Sequence, residues 1–540
     1  SWLNLNDIET ISIIKGGGTL RYGSGAFGGV VVLTPVQKGE SGFSLNYQNT
    51  DRHLQSYSVS DMLQVGALRT RLTYSTQEHL PLGFYGNDLV STRNFVNFYS
   101  TYALQDTSNY FSLNHMDISQ GVDPTPQYNN ELTDKYSQVK YTGNLSAIKN
   151  VEIQFLKRRT GNDTENLADP DFEFRNSSDE QTELVAVEKK FVLKNIINFF
   201  RAELKKDGFT GISRTKNIQW DHDEYHDITM AQDWYAFTNV FKYRTQIDLP
   251  FVDFFELNSS YRYDNIKLKK SHVATWDDEV FIDEIVSDRF DQVSRRNGFM
   301  MNKKKDNIRY QIFYNAGTNL RYPSMNDLYL RDHTVIVFHQ DTPLSPEQNT
   351  SSETGLQASI QPANPHSIFD YFDIQASLFK NRYNDKIYYK QIPRALPTPV
   401  NMPSTELGGF EMSLMSSSFS DRLRLFMGTS RLSISSYTIF PNKPKFKDVA
   451  EVELNSSWAN LRLQYFHEGK QFFGGTSDNI NWVVTELAGR ENLNLFSSFK
   501  VNVSEKEYVV GLTALNLLSP EDELNYFNQR RWTVNFSVRL

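Results

Sequence analysis

The sequence predicts an all-β protein, folded as a 22-stranded antiparallel transmembrane β-barrel. Three observations support this prediction. Apolar and polar residues alternate with a period of two from about residue 42 to the last residue. Short links between the predicted strands alternate with long polar ones. The chain is polar overall, with a mean hydropathy of −0.52, although 14% of its residues are aromatic. A barrel strand explains this combination, because only every second residue faces lipid.

The composition excludes several other classes of protein. The 540 residues contain no apolar run of about 18 residues, which a transmembrane helix requires. The net charge is −8, and no basic segment indicates a nucleic-acid-binding face. The chain has no cysteine, which is common in bacterial outer-membrane proteins and less so in large secreted eukaryotic ones. The first residues lack the basic and apolar parts of a signal peptide, so any export signal precedes them.

The alternation is clearest at the end of the chain. One face of the last predicted strand carries Trp532, Val534, Phe536, Val538 and Leu540, and the other carries Thr533, Asn535, Ser537 and Arg539. Similar stripes occur near residues 151–155 and 372–378. A strand that is apolar on one face only suits a barrel wall, with lipid on one side and a polar lumen on the other.

The links between the predicted strands determine the topology. Tight links occur near 191–195, 248–252 and 303–306, and long polar stretches occur at 160–180 and 207–230. Tight turns on one side and long loops on the other are typical of outer-membrane barrels. A sheet of about 22 strands must close into a barrel, because lipid cannot satisfy a free strand edge.

A glycine-rich segment near the start of the chain is a separate feature. Seven glycines lie between Gly16 and Gly29, followed by an apolar β-branched run. No Lys-Ser/Thr pair and no helix pattern follow, which argues against a phosphate-binding loop. The segment predicts a strand, glycine turns and a second strand. Because the lumen of a 22-stranded barrel is too wide for side chains to fill, we expect a plug. We therefore predict that residues 1–35 end a plug domain and residues 36–540 form the barrel.

The same segment resembles a known family. The residues DIETISIIKG (7–16) and YGSGAFGGVV (22–31) resemble the end of the plug domain in TonB-dependent outer-membrane receptors. Gly17 departs from the pattern, since the family often has proline there. The resemblance implies structural roles in the plug for Lys15, Gly16, Tyr22, Gly23, Gly28 and Gly29. It also implies a longer plug with a TonB box, which we expect upstream of Ser1.

A second match lies in a long predicted loop. The residues LRYPSMNDLY (320–329) are similar to a box in haem, cobalamin and siderophore receptors of this family. The residues PLSPE (343–347) resemble a second box that has lost its Asn-Pro pair. In haem receptors a histidine between the two boxes is implied to contact the haem iron. The candidate substrate-binding residues are therefore Arg321, Tyr322, Tyr329, His333 and His339. Alternatively, the two histidines are ordinary residues of a surface loop.

A cluster of carboxylates and imidazoles lies in the predicted loop at 207–230. Oxygen and nitrogen ligands of this kind hold divalent cations. The candidate metal ligands are Asp221, His222, Asp223, Glu224 and His226. The alternative is a solvated acidic loop without a metal.

The resemblance implies TonB-dependent import of a scarce metal chelate across the bacterial outer membrane, with haem or a ferric siderophore ahead of cobalamin. It implies outer-membrane lipid and the TonB–ExbB–ExbD complex as partners, with a surface lipoprotein as a further candidate. A cobalamin transporter and a transport-inactive accessory barrel are the alternatives. The sequence contains no nucleophile elbow and no His-Glu-x-x-His motif, so we predict no enzyme activity and no intrinsic cofactor.

Overall fold

A computed structural model describes most of the chain and is almost entirely β-strand. The described residues are 8–15, 29–35, 42–50, 55–79, 91–104, 109–122, 128–145, 148–166, 172–217, 222–276, 279–328, 344–362, 367–390, 398–437, 439–441, 443–477, 481–504, 506–518 and 530–539. In these ranges no helix has the length and apolar character needed to cross a membrane.

Twenty-two antiparallel strands close into one barrel, as the sequence predicts. Nineteen of them follow each other without interruption: β3 (Gly42–Thr50), β4 (Gln55–Val65), β5 (Leu68–His79), β6 (Ser91–Leu104), β7 (Asn109–Val122), β8 (Tyr128–Leu145), β9 (Ile148–Asn166), β10 (Phe172–Leu193), β11 (Ile196–Asn217), β12 (His222–Leu249), β13 (Val252–Trp276), β14 (Glu279–Lys305), β15 (Ile308–Arg321), β16 (Glu347–Ile360), β17 (Phe369–Lys390), β18 (Thr398–Ser418), β19 (Leu423–Ile434), β20 (Phe446–Asn455) and β21 (Ala459–Glu468). The last three are β24 (Arg490–Val503), β25 (Lys506–Leu515) and β26 (Arg531–Arg539).

Neighbours in sequence are neighbours in the barrel, with two exceptions. β21 pairs with β24, because the hairpin of β22 (Gln471–Ser477) and β23 (Asn481–Leu487) forms a separate two-stranded sheet. β26 pairs with β3, with Phe536 opposite Tyr47, and this pairing closes the barrel. In the lipid-spanning part of the wall, closure removes the free strand edges that an open sheet would leave.

The two strands predicted on either side of the glycine turns are present, while residues 16–28 between them lie outside the described residues. β1 (Ile8–Lys15) pairs antiparallel with β2 (Gly29–Pro35) in a sheet of its own, and Lys15 is opposite Gly29. Four residues to which the resemblance gives plug roles, Gly16, Tyr22, Gly23 and Gly28, lie outside the described residues. The assignment of residues 1–35 to a plug remains a prediction.

Each barrel strand has an outer and an inner face, and β13 illustrates the division. Leu257, Tyr261 and Tyr263 point outward and are exposed, whereas Arg262 and Asp264 point inward and are buried. Burying a large apolar side chain stabilises a fold by about 1.5–3 kcal/mol, and on the outer face lipid provides that burial. The charged residues therefore face the lumen at this level of the wall.

The strands differ greatly in length. β10 to β14 have 22 to 28 residues, whereas β20 and β21 have 10 each. At about 3.3 Å per residue, a 28-residue strand is about 90 Å long, and a tilted strand needs only about 10 residues to cross the membrane. One side of the barrel wall therefore extends well beyond the lipid. Predicting long loops at 160–180 and 207–230 was wrong, because the strand ladder continues where both faces are polar and the alternation of the sequence disappears.

The two ends of the barrel can be told apart by their connections. Two-residue turns at 66–67, 194–195, 250–251 and 306–307 join strands at one end. We assign this end to the periplasm, as in other outer-membrane barrels. The long connections, including the one between β15 and β16, lie at the extracellular end.

Candidate functional site

A short segment after β15 leaves the barrel wall and forms a compact turn. The main-chain N–H of Ser324 donates to the Asp327 carboxylate at 2.7 Å, and the N–H of Asp327 donates to the Ser324 hydroxyl at 3.1 Å. This reciprocal pair is a capping box, here with aspartate in place of glutamate. It begins a helical turn at 325–328, in which the Leu328 N–H donates to the Ser324 carbonyl at 3.0 Å.

Arg321 ties this turn to the barrel wall. Its guanidinium donates to Asp327 at 2.8 Å and to Glu347 at 3.3 Å. Asp327 is 0% exposed and Glu347 is 1% exposed. Lys386 donates to Glu347 at 3.2 Å, and the Tyr389 hydroxyl donates to Asp327. Two cations thus face two carboxylates, which compensates the cost of burying these charges.

The two sequence boxes therefore meet in space. Arg321 belongs to the first box and Glu347 to the second, and they are register partners on β15 and β16. The sequence predicts Arg321 as a substrate-binding residue, whereas its visible contacts are structural.

Tyr322 packs into the lumen beside two aromatic rings. It is 4% exposed, and its ring lies edge-on to Trp234 at a centroid distance of 5.4 Å and 6.1 Å from Phe290. Burial raises the pKa of the Tyr322 hydroxyl, so the group stays protonated. Among the described residues, neither the Tyr322 hydroxyl nor Trp234 Nε1 has a hydrogen-bond partner. A buried donor without a partner costs about 1–3 kcal/mol, so a bound ligand that accepts from it gains that energy.

Both atoms belong to residues that line a cavity of about 340 Å³ between the wall and the 321–325 segment. A volume of a few hundred Å³ is typical of small-molecule sites. The lining residues are Glu180, Leu184, Glu203, Lys205, Asp207, Gln232, Trp234, Ala236, Arg262, Arg321, Tyr322, Pro323, Ser324 and Met325.

The charged lining forms a continuous network on the inner faces of β11 and β13. Arg262 contacts Glu203 at 2.7 Å and Asp264 at 2.9 Å, and Arg201 contacts Glu203 at 2.6 Å. The network gives the cavity both donors and acceptors at fixed positions.

A second ion pair lies further along β11. Lys205 contacts Asp207 at 2.6 Å and lies 4.7 Å from the centroid of the Trp234 ring, within the range of a cation–π interaction. Lys205 therefore links the charged and the aromatic parts of the lining.

An apolar cluster supports the 325–328 turn from the wall. Phe209, Ile228, Met230 and Leu268 pack with Met325, and Leu328 packs against the group. The turn is thus held by an apolar contact on one side and by the Arg321 ion pairs on the other.

The predicted metal ligands are placed differently from the expectation. Asp223 and Glu224 lie on β12 and not in a loop, and Asp223 forms an ion pair with Arg214. Glu224 accepts from His226 Nε2 at 2.6 Å, and His226 Nδ1 is 3.0 Å from Nε2 of His272. Throughout the described ranges, no group of three or more His, Asp or Glu side chains is placed to hold a metal ion.

Other predicted residues lie outside the described part of the chain. These are Tyr329, His333, His339, Asp221 and the side chain of His222. Their roles remain predictions.

Sequence reasoning missed the charged residues of the cavity wall. Arg201, Glu203, Lys205 and Asp207 alternate at every second position, which in a barrel strand places all four on one face. That spacing was the available signal. His272 had no comparable signal, because it meets His226 only through the pairing of two strands.

The comparisons with known proteins agree with this architecture. The family model "TonB dependent receptor-like, beta-barrel" matches residues 16–517. The chain belongs to this family. TonB-dependent receptors are outer-membrane transporters and not enzymes, which confirms the predicted location and the predicted lack of enzyme activity. Energisation through TonB and an outer-membrane lipid environment follow from membership.

Solved structures of other proteins share the fold of this TonB-dependent receptor. The copper transporter OprC is 11% identical in sequence, with a TM-score of 0.76. The match covers 100% of this chain and 87% of the OprC chain. The ferric yersiniabactin uptake receptor FyuA from Yersinia pestis is 11% identical, with a TM-score of 0.73. The match covers 99% of this chain and 85% of the FyuA chain. The open form of the ferric-catecholate import receptor Fiu from E. coli K12 is 12% identical, with a TM-score of 0.71. The match covers 99% of this chain and 87% of the Fiu chain. At these identities the likeness concerns the fold alone. No curated protein sequence matches the chain.

Proposed function

We propose that this TonB-dependent receptor imports a metal chelate, with a ferric siderophore as the first candidate and haem as the second. The observation that carries the proposal is the lumenal cavity with two aromatic donors, the Tyr322 hydroxyl and Trp234 Nε1, that have no partner among the described residues. Aromatic rings with a polar tip suit a ligand that is flat and rich in oxygen acceptors. The individual catecholate arms of a ferric siderophore are flat and carry oxygen acceptors, although the octahedral complex as a whole is not flat.

The charges around the cavity are balanced, with three cations and three carboxylates in the lining, and they offer fixed donors to a ligand with several oxygen acceptors. Lys205, Arg262 and Arg321 contribute guanidinium or ammonium groups to the lining, each already paired with a carboxylate. Paired cations keep N–H groups in fixed directions, and charge-assisted hydrogen bonds are stronger than neutral ones. A volume of about 340 Å³ suits one arm of a chelate.

Of the compared proteins, Fiu is a ferric-catecholate import receptor, FyuA is a ferric yersiniabactin uptake receptor and OprC is a copper transporter. Those ligands belong to those proteins. They agree with the proposed class of substrate, a chelated metal, and do not identify the compound.

The proposed transport step uses the plug. The outer membrane has no ATP, so the TonB–ExbB–ExbD complex in the inner membrane supplies the force. The β1–β2 hairpin is, on this proposal, the last part of the plug that the force remodels. Within the described residues its two-stranded sheet shares no pairing with the barrel, so it can move while the barrel stays closed.

Binding by the purified full-length receptor tests the proposal. The probes are a ferric catecholate, a ferric hydroxamate, haem and cobalamin. Quenching of the receptor's tryptophan fluorescence measures the binding of each probe. We expect saturable binding of a ferric siderophore that weakens at least tenfold in Tyr322→Phe and Trp234→Phe. A Soret band that disappears in the double variant His333→Ala, His339→Ala would select haem.

Other outcomes favour the alternatives. Binding of cobalamin alone would support a cobalamin transporter. Binding of none of the four probes, with growth on limiting iron independent of the receptor, would support a transport-inactive accessory barrel.

A further inference from the structure

The outer face of the tall wall changes abruptly from apolar to cationic. A rung is here a row of register partners that point outward from adjacent strands. The last apolar rung contains Phe155, Val185, Leu204 and Tyr235 on β9 to β12. Each further rung is two residues nearer the extracellular end.

The next rung is charged on six adjacent strands. Lys157, Glu183, Lys206, Asp233, Lys267 and Arg289 are successive register partners on β9 to β14. The following rung contains Lys135, Arg159, Gln181, Gly208, Ala231 and Lys269 on β8 to β13. The two rungs together, called the cationic band, carry seven cations and two carboxylates.

Three lysines of the cationic band are available to a ligand. Four cations have carboxylate partners, as in the contacts Lys157–Glu183 at 3.0 Å and Arg159–Asp179 at 2.8 Å. Lys206, Lys267 and Lys269 are exposed, and none of them has an ion-pair partner among the described residues.

The three lysines lie around a shallow recess, with Asp233 between Lys206 and Lys267 on the first rung. Gly208 and Ala231 lie between Lys206 and Lys269 in the two rungs, and a Cβ at Gly208 would meet no atom within 4 Å. Strands are about 4.8 Å apart, so the Cα atoms of Lys206 and Lys267 are about 10 Å apart. Flexible lysine stems can close that distance around one or two phosphate groups.

The recess lies at the level of the lipid headgroups. On β13 the outward residues from Phe255 to Tyr263 are apolar or aromatic except Ser259, and Lys267 follows two positions after Asn265. That stretch is about 26 Å along the strand, or about 20 Å of membrane thickness at a tilt of about 40°. Tyr263, with its hydroxyl donating to Asp291 at 2.6 Å, marks the interface.

We propose that Lys206, Lys267 and Lys269 bind the headgroup phosphates of a phosphorylated glycolipid in the outer leaflet. Its acyl chains lie along Leu204, Tyr235 and Phe237 directly below. A lipid fits better than free phosphate because the cationic recess and the apolar surface are continuous. This site is on the outside of the wall and is independent of the lumenal cavity.

Glycolipid that co-purifies with the receptor from outer membranes tests the site. The variant is Lys206→Gln, Lys267→Gln, Lys269→Gln. The control is Lys194→Gln, Lys304→Gln, Lys305→Gln, which removes the same charge at the periplasmic end. Mass spectrometry measures the number of glycolipid molecules per barrel. A difference in gel mobility between unheated and heated samples confirms that each variant is folded. We expect at least a fivefold loss of glycolipid in the variant and none in the control.

Adding defined lipids back to the lipid-free native receptor shows whether the phosphate group is what the site recognises. We expect phosphorylated glycolipid to rebind the native receptor in a salt-sensitive manner, while dephosphorylated glycolipid does not. Equal retention by the variant and the native receptor overturns the proposal, as does equal rebinding of the dephosphorylated lipid. Release of the bound glycolipid by inorganic phosphate at millimolar concentration also overturns it, because the site would then be a simple anion site. Siderophore binding is unchanged in the variant, which separates this site from the proposed function.

Discussion

His226 and His272 meet end to end across two neighbouring strands. Nδ1 of His226 is 3.0 Å from Nε2 of His272, and the ring planes differ by 22° with centroids 5.3 Å apart. Glu224 accepts from Nε2 of His226 at 2.6 Å. With both rings neutral, His226 Nδ1 must then accept from His272 Nε2–H. Glu224 thus fixes the tautomers of both rings, which are 0% and 1% exposed.

We predict that His226→Ala destabilises the extracellular end of β12 and β13 by about 1–3 kcal/mol, because the buried His272 loses this acceptor. Hydrogen exchange of the main-chain amides near Ile228 and Val273 measures the effect. In a double-mutant cycle with His272→Ala, the two losses should not add. Additive losses would show that the contact contributes no stability.

Removing the charge of Arg321 has a larger predicted effect. Arg321→Ala leaves two buried carboxylates short of a cation, which costs about 3–5 kcal/mol. We expect the 325–328 turn to exchange its amides rapidly, while the barrel persists. The matched control is Arg382→Ala, since its 3.7 Å pair with Glu406 is more than 40% exposed on both sides and contributes at most about 1 kcal/mol. An unchanged turn in Arg321→Ala would contradict the structural role.

Tyr322→Phe should separate stability from binding. The hydroxyl has no hydrogen-bond partner among the described residues, so its removal should leave the free energy of unfolding unchanged or raise it by up to about 1 kcal/mol. Chelate affinity should nevertheless fall. Urea unfolding in detergent and fluorescence titration measure the two effects. A loss of stability without a loss of affinity would mean that the ring serves packing alone.

Asp421 lies in the periplasmic turn between β18 and β19 and predicts a pH dependence. Its hydrogen bonds from Arg424 and Ser417 lower its pKa from 3.8 to about 2. Because the folded pKa is depressed, the stabilisation is present above about pH 4 and is lost as the pH falls through about 2. We expect Arg424→Ala to return the pKa towards 3.8, observed by NMR of the ¹³C-labelled carboxyl. A pKa that stays near 2 in this variant would exclude Arg424 as the cause.

The same turn shows why local sequence is a weak guide to some connections. Phe419, Ser420 and Asp421 all have positive φ, at 58°, 57° and 66°, although none is glycine. The carboxylate of Asp370 accepts from the main-chain N–H of Ser420 at 3.2 Å and of Asp421 at 2.8 Å. The conformation of this turn therefore depends on a residue about 50 positions away.

The sequence by itself determined the barrel, the number of its strands and the two strands that flank the glycine turns. These features depend on period-two alternation and on glycine, which are local properties of the chain. The resemblance of short motifs was enough to predict the family that the whole-chain match then confirmed.

Only the tertiary structure decided the height of the wall and the composition of the lumenal cavity. The strands between residues 172 and 276 continue past the lipid because their hydrogen-bond ladder persists after the apolar stripe ends. Register then decides which side chains meet: it places Arg262 beside Glu203, His226 beside His272, and Lys206 on one rung with Lys267. Pairing between strands is a non-local property, so no single strand of the sequence contains it.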